Sequence, residues 1–179
     1  MRFIIFLFLL VASSSAWSQV SEKYHSPLSG FYKAEDLFEK EQYSAARKEF
    51  RLFINDYKGS RNDSYYIKAL YYEGLSALEL FNNDAIDLLE TFNREYPESI
   101  YRSNILFQIG RYYYQKKDYK RSIQYFKELN RSTVDKENQE EYYFKLGYAY
   151  FDEKNYPESK LAFYEVKDSS SQFVAPSLF

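Results

Sequence analysis

Ile109-Gly110-Arg111-Tyr112-Tyr113-Tyr114-Gln115-Lys116-Lys117-Asp118-Tyr119-Lys120-Arg121-Ser122 and Leu146-Gly147-Tyr148-Ala149-Tyr150-Phe151-Asp152-Glu153-Lys154-Asn155-Tyr156-Pro157-Glu158-Ser159 are two copies of one pattern, 37 residues apart. Each reads G-x-x-Y, five residues, Y-x-x-S, and each reaches a phenylalanine four residues later, Phe126 and Phe163. Working outward, an earlier copy runs Ala34, Leu37, Tyr43, Ala46, Phe50 at the same spacing. Another runs Gly74, Ala77, Ala85, Leu89, with its turn one residue shorter. The small anchors fall at Ala34, Gly74, Gly110 and Gly147, giving periods of 40, 36 and 37. Self-similarity at such a period is the signature of a repeat architecture.

The residue types state what each repeat is. Large apolar residues recur three and four apart, and no alternating run is bounded by turn residues, so helices are expected and strands are not. A small residue on one helix and an alanine or serine on the next let two backbones approach closely. Tyrosine or leucine and phenylalanine then fill the flanks. Tyr113, Tyr119, Tyr150 and Tyr156 are expected to pack within the repeats, beside Ala34, Ala46, Gly74, Ala85, Gly110 and Gly147. A lone helix pair leaves one apolar face uncovered, so neighbouring pairs must stack. The expected fold is all-α, an α-solenoid of four antiparallel helix pairs at 28–57, 63–95, 98–130 and 136–167. Tyr57-Lys58-Gly59 and Tyr96-Pro97-Glu98-Ser99 mark junctions, because the residue before a proline avoids the helical region while proline suits a first turn.

The ends differ from the body. Arg2, the apolar run Phe3 to Ala12 and the small residues of Ala16-Trp17-Ser18 form the pattern of a secretory signal peptide at 1–18, cleaved before Gln19. The apolar run is too short for a spanning helix, which needs roughly 20 such residues, and no other segment reaches that length. A polar lead-in follows at 19–27. At the other end, 168–179 reads as a junction and the start of a further helix, because Phe173-Val174-Ala175-Pro176-Ser177-Leu178-Phe179 resembles the opening of another pair. Self-association or continuation of the chain through that end is expected.

Composition narrows the function. The chain of 179 residues has a formal charge of −2, and without Arg2 the remainder carries −3, which does not suit binding to a phosphate backbone. Cysteine is absent, so an exported form has no disulfide and no lipid-modified cysteine. The only histidine is His25, in the lead-in, with no second ligand nearby. There is no H-E-x-x-H, no G-x-S-x-G and no glycine-rich phosphate loop among five glycines. No enzyme, metal or cofactor is expected. The basic run Lys116-Lys117-Asp118-Tyr119-Lys120-Arg121 falls on a turn and reads as solvated.

The pattern resembles the tetratricopeptide repeat family over Leu28 to Lys167. The third and fourth copies carry nearly all of its small, aromatic and proline positions. The second departs most, with Asn82 where an aromatic usually follows the turn. More narrowly, Phe92-Asn93-Arg94-Glu95-Tyr96-Pro97-Glu98-Ser99 resembles the F-x-x-x-Y-P-x-S junction of envelope repeat proteins in Gram-negative bacteria, among them the β-barrel assembly lipoprotein and the periplasmic coordinator of the Tol-Pal system. The resemblance implies a periplasmic or outer-membrane-associated scaffold that binds other proteins in a groove lined by the first helix of each pair. Groove positions would be Lys68, Tyr71, Asn104, Arg111, Tyr114, Tyr148 and Phe151. Phe107, Phe144 and Tyr71 fit either the groove or the packing between helices. The alternatives are a recruitment module of a longer chain and a carbohydrate or peptidoglycan binder.

Overall fold

A computed structural model describes residues 27–134 and 136–166. The segment read as a signal peptide, the lead-in up to residue 26 with His25, and residues 167–179 lie outside the described residues. Among the described residues, all regular structure is helical. The helices are α1 (Ser29–Glu39), α2 (Tyr43–Asp56), α3 (Ser64–Glu79), α4 (Ala85–Glu95), α5 (Arg102–Gln115), α6 (Tyr119–Glu128), α7 (Lys136–Asp152) and α8 (Tyr156–Tyr164), with a 3-10 turn at Arg131–Thr133. The all-α, tetratricopeptide-like expectation holds. No described helix is long and apolar enough to cross a membrane.

One local device ends α1, α3, α5 and α7. Glu41, Phe81, Lys117 and Lys154 have φ of 58°, 54°, 59° and 62°, and each stands seven residues after its small anchor. The next N–H bonds back to the carbonyl five residues earlier, as in Gln42 to Leu37, Asn82 to Ala77, Asp118 to Tyr113 and Asn155 to Tyr150, all at 2.9 Å. This is the αL helix end usually built on glycine, here formed four times without it. The second copy therefore turns like the others despite Asn82. Its missing residue is taken up just afterwards. Ala46, Ser122 and Ser159 each bond to a carbonyl four residues back, whereas Ala85 bonds to Asn82 only three back, at 3.2 Å. A tighter first turn of α4 absorbs the deletion.

The chain forms two compact units, one up to Leu88 and one from Leu89. In the first, α1, α2 and α3 enclose Phe31, Ala34, Ala46, Phe50, Phe53 and Ala69. Phe31 meets Phe50 at 6.1 Å and Tyr65 at 5.2 Å, both edge to face, while Phe50 stacks on Tyr72 at 5.5 Å. In the second, Leu106, Phe107, Phe126, Leu129, Val134, Tyr142, Leu146 and Ala162 form the core. Phe107 therefore belongs to packing.

The small residues sit where the backbones meet. Gly110 and Ser122 are buried, and the Ser122 hydroxyl donates to the Gly110 carbonyl across the α5–α6 hairpin at 3.0 Å. A Cβ on Gly110 would lie 2.4 Å from the Phe126 ring, and one on Gly147 would lie 2.8 Å from Phe163. Ala34, Ala46, Gly74, Ala85, Gly147 and Tyr113 are also buried, while Tyr119 and Tyr150 are half-buried. Tyr156 is a correction. It was expected in the packed interior, yet it is 57 % exposed and touches Phe151 at 5.7 Å. Its equivalent Tyr119 is half-buried and meets Tyr148 of α7 at 5.8 Å, a contact without a counterpart at Tyr156 among the described residues.

Candidate partner-binding groove

The residues read as groove positions fall on α3, α5 and α7 and are taken unit by unit. In the first unit Lys68 forms an ion pair with Glu35 of α1. Its ammonium also lies 5.6 Å from the Phe31 ring centre and 5.7 Å from that of Tyr72. Tyr71 is half-buried and packs on Tyr72 at 5.1 Å.

In the second unit α5 and α7 lie side by side, and their facing side chains make one continuous surface. Arg111 Nε is 2.8 Å from Glu141 Oε1 and Lys145 Nζ is 3.4 Å from the same oxygen. The Arg111 contact is an ion pair rather than a hydrogen bond, because the Nε–H is out of line with that oxygen. Arg111 also donates to Gln108 at 3.2 Å and lies over the Phe107 ring at 5.5 Å. Next along the surface come three rings. Tyr114, Tyr119 and Tyr148 meet edge to face at 5.6 to 5.9 Å, and Lys145 caps Tyr114 at 4.4 Å. Tyr148 remains 41 % exposed and Phe151 55 %. Asn104 is half-buried, and its side-chain oxygen is buried with no donor among the described residues.

The two units share a register that composition hides. Glu35 stands one residue after Ala34, and Lys68 six before Gly74; Arg111 stands one after Gly110, and Glu141 six before Gly147. The same two offsets carry an ion pair in both units with the signs exchanged. Sequence reasoning singled out Lys68 and Arg111 and missed their partners Glu35, Glu141 and Lys145. Comparing charges at fixed offsets from the anchors would have found them. Lys68 and Arg111 are thus each paired within the chain, although Arg111 and Lys145 share the one Glu141 carboxylate.

A second network outside that surface holds α6 onto α5 and α4. Glu90 Oε1 accepts from the hydroxyls of Tyr113 at 2.8 Å and Tyr125 at 2.7 Å, and the Arg121 guanidinium lies 4.1 Å from the Tyr113 ring centre. Burial pushes Tyr113, Tyr114 and Tyr142 up to about 12. For Tyr113 the Glu90 carboxylate adds to this. Tyr125 is raised for the same two reasons. The sign follows directly: phenols whose folded values exceed the ordinary 10.0 favour the fold below about pH 10 and cease to do so as pH rises through the folded values. Helical circular dichroism should therefore be constant to about pH 10 and collapse before about pH 12, together with a late phase of phenolate absorbance. A fold intact beyond pH 12 with all tyrosines titrating near 10 would contradict this burial.

Among the described residues no group of three or more His, Cys, Asp or Glu side chains is placed to hold a metal ion. The tetratricopeptide repeat family matches residues 68–99, from within α3 to just past α4. No curated protein matches the sequence. The crystal structure of the C-terminal part of a TPR repeat-containing protein from Cytophaga hutchinsonii is similar in fold, with a TM-score of 0.64 and 21 % identity over 98 % of this chain and 69 % of that one. The chain thus has a tetratricopeptide-like fold, and one repeat of that family is recognisable in its sequence at residues 68–99.

Proposed function

We propose that this chain is a non-catalytic scaffold that binds segments of other proteins and acts in the cell envelope, exported to the periplasm or held at the outer membrane by a partner. The observation that carries the binding reading is the α5–α7 surface. Arg111 and Lys145 are both engaged by Glu141, and the Tyr148 and Phe151 side chains beside them are exposed. Partly exposed aromatic side chains on a rigid helical support lose little entropy on binding and often dominate interface energies. The signal-peptide pattern at 1–18 and the Phe92 to Ser99 junction support the compartment.

Aromatic faces also stack on sugar rings, so the experiment must separate the two ligands. The chain from Gln19 onward is offered in parallel to a glycan array that includes peptidoglycan fragments and to a peptide library. Saturable peptide binding without glycan binding is expected. Glycan binding alone would overturn the protein-scaffold reading, and recovery of the native chain in the cytosolic fraction would overturn the compartment.

A further inference from the structure

The left-handed residues that end α1, α3, α5 and α7 are not alike. Glu41, Lys117 and Lys154 place long charged side chains in water. The fourth is Phe81, with φ of 54° and a side chain 91 % exposed. A bulky residue is disfavoured in that backbone region, and a ring left in water forgoes its apolar burial. Glycine or asparagine would end α3 at lower cost. Two penalties fall on one side chain, at a position where its three equivalents carry charge. Such an outlier points to a contact made outside the chain.

Beside this turn lies an open pocket of about 540 Å³. Leu80 and Asn82, the two neighbours of Phe81, line one side of it, and α2 supplies Arg47, Lys48, Arg51 and Leu52. No acidic residue lines it. The Arg47 guanidinium donates to Asn82 and to Asp84, and its Nε is buried with no acceptor among the described residues. Arg51 lies 3.5 Å from the buried Glu73, yet its side chain is 59 % exposed. Lys48 is exposed and makes no ion pair among the described residues. Even with Asp84 and Glu73 set against Arg47 and Arg51, Lys48 leaves the site cationic. Leu52, 48 % exposed, stands four residues after Lys48 on the same helix face.

The apolar element here is a projecting turn, and the charged element is a hollow next to it. A small soluble anion would use the hollow and leave Phe81 in water. An acidic peptide would likewise gain nothing from a ring with no apolar groove around it. A lipid surface uses both, because the boundary between headgroups and acyl chains accepts a ring in any orientation and anionic headgroups attract basic side chains. We infer that this end of the first unit binds an anionic phospholipid surface, with Phe81 entering the headgroup–acyl boundary and Lys48 and Arg51 meeting lipid phosphates. The inference is independent of what the α5–α7 surface binds.

The chain from Gln19 to Phe179 contains no tryptophan, so Phe81→Trp supplies a single emission reporter. It is titrated with vesicles of phosphatidylglycerol mixed with phosphatidylcholine, and with vesicles of phosphatidylcholine alone. Saturable binding to the anionic vesicles only is expected, weaker at high salt, with a blue shift of the introduced tryptophan. Phe81→Asn suits the left-handed turn and should weaken partitioning of the otherwise native chain by about tenfold. Lys48→Gln should weaken it by about fivefold, the effect of one basic residue near an anionic surface. Both side chains are exposed, so both variants should keep the wild-type circular dichroism, and either suffices if the other misfolds. The inference is overturned by absent binding, by equal binding to phosphatidylcholine alone, by unchanged partitioning of the variants, or by unshifted emission from bound protein. Binding of a polyglutamate peptide without vesicle binding would make this a protein site, and binding of glycerol phosphate alone a small-anion pocket; either result also overturns it.

Discussion

Phe126→Ala is expected to cost about 3–5 kcal/mol, the range for deleting a large aromatic from a tight core. The Phe126 ring is fully buried. It lies 6.2 Å from Phe107 and meets Tyr142 edge to face at 5.3 Å. Its backbone carbonyl accepts the Tyr142 hydroxyl at 3.2 Å, which fixes α7 against α6. Helices on both sides are held by these contacts, so the cavity cannot collapse and the cost belongs at the upper end of the range. Urea unfolding should show a lower midpoint with the slope unchanged. A midpoint within about 0.5 kcal/mol of wild type would show that Phe126 is not the centre of this core.

Gly110→Leu should be nearly as damaging, at about 3 kcal/mol and about 6–12 °C in melting temperature. Replacing glycine within a helix gains up to about 1 kcal/mol of propensity, but here even a Cβ would sit 2.4 Å from Phe126. The fully buried ring has nowhere to move. Gly147 is the internal control, because its neighbour Phe163 is only half-buried and can yield. Gly147→Ala should therefore cost less than Gly110→Ala. In a Phe126→Ala background the clash is gone, and Gly110→Ala should become neutral or stabilising, a strong non-additivity of contacting sites. Additive effects would mean that the two residues do not meet.

Those two residues were also the ones that made the fold legible. Gly110, Ser122 and Phe126 lie within one hairpin, and their spacing records a close backbone approach that only small residues allow. The groove was less legible. Lys68 and Glu35 are 33 positions apart and Arg111 and Glu141 are 30 apart, and no local pattern links them. Arg111 was therefore read as a residue free to meet a partner, whereas it is held by Glu141 and Gln108. Removing it would leave Glu141 with Lys145 alone and would loosen α5 from α7, so Arg111 reports on stability as well as binding. Tyr156 was misread for a related reason. Its sequence context repeats that of Tyr119, but the contact of Tyr119 with Tyr148 has no counterpart at Tyr156 among the described residues.

The central claim, that partners are proteins held on the α5–α7 surface, is tested most directly by site-specific photocrosslinking in cells that naturally make the chain. A photoreactive phenylalanine analogue replaces Tyr148, which is 41 % exposed beside Tyr114. In a separate strain it replaces Lys48, an exposed residue of the second helix α2. The account predicts discrete protein adducts from position 148, lost when Phe151 is changed to Ser, and none above background from position 48. Equal adducts from both positions, or none from 148 in folded protein, would contradict it.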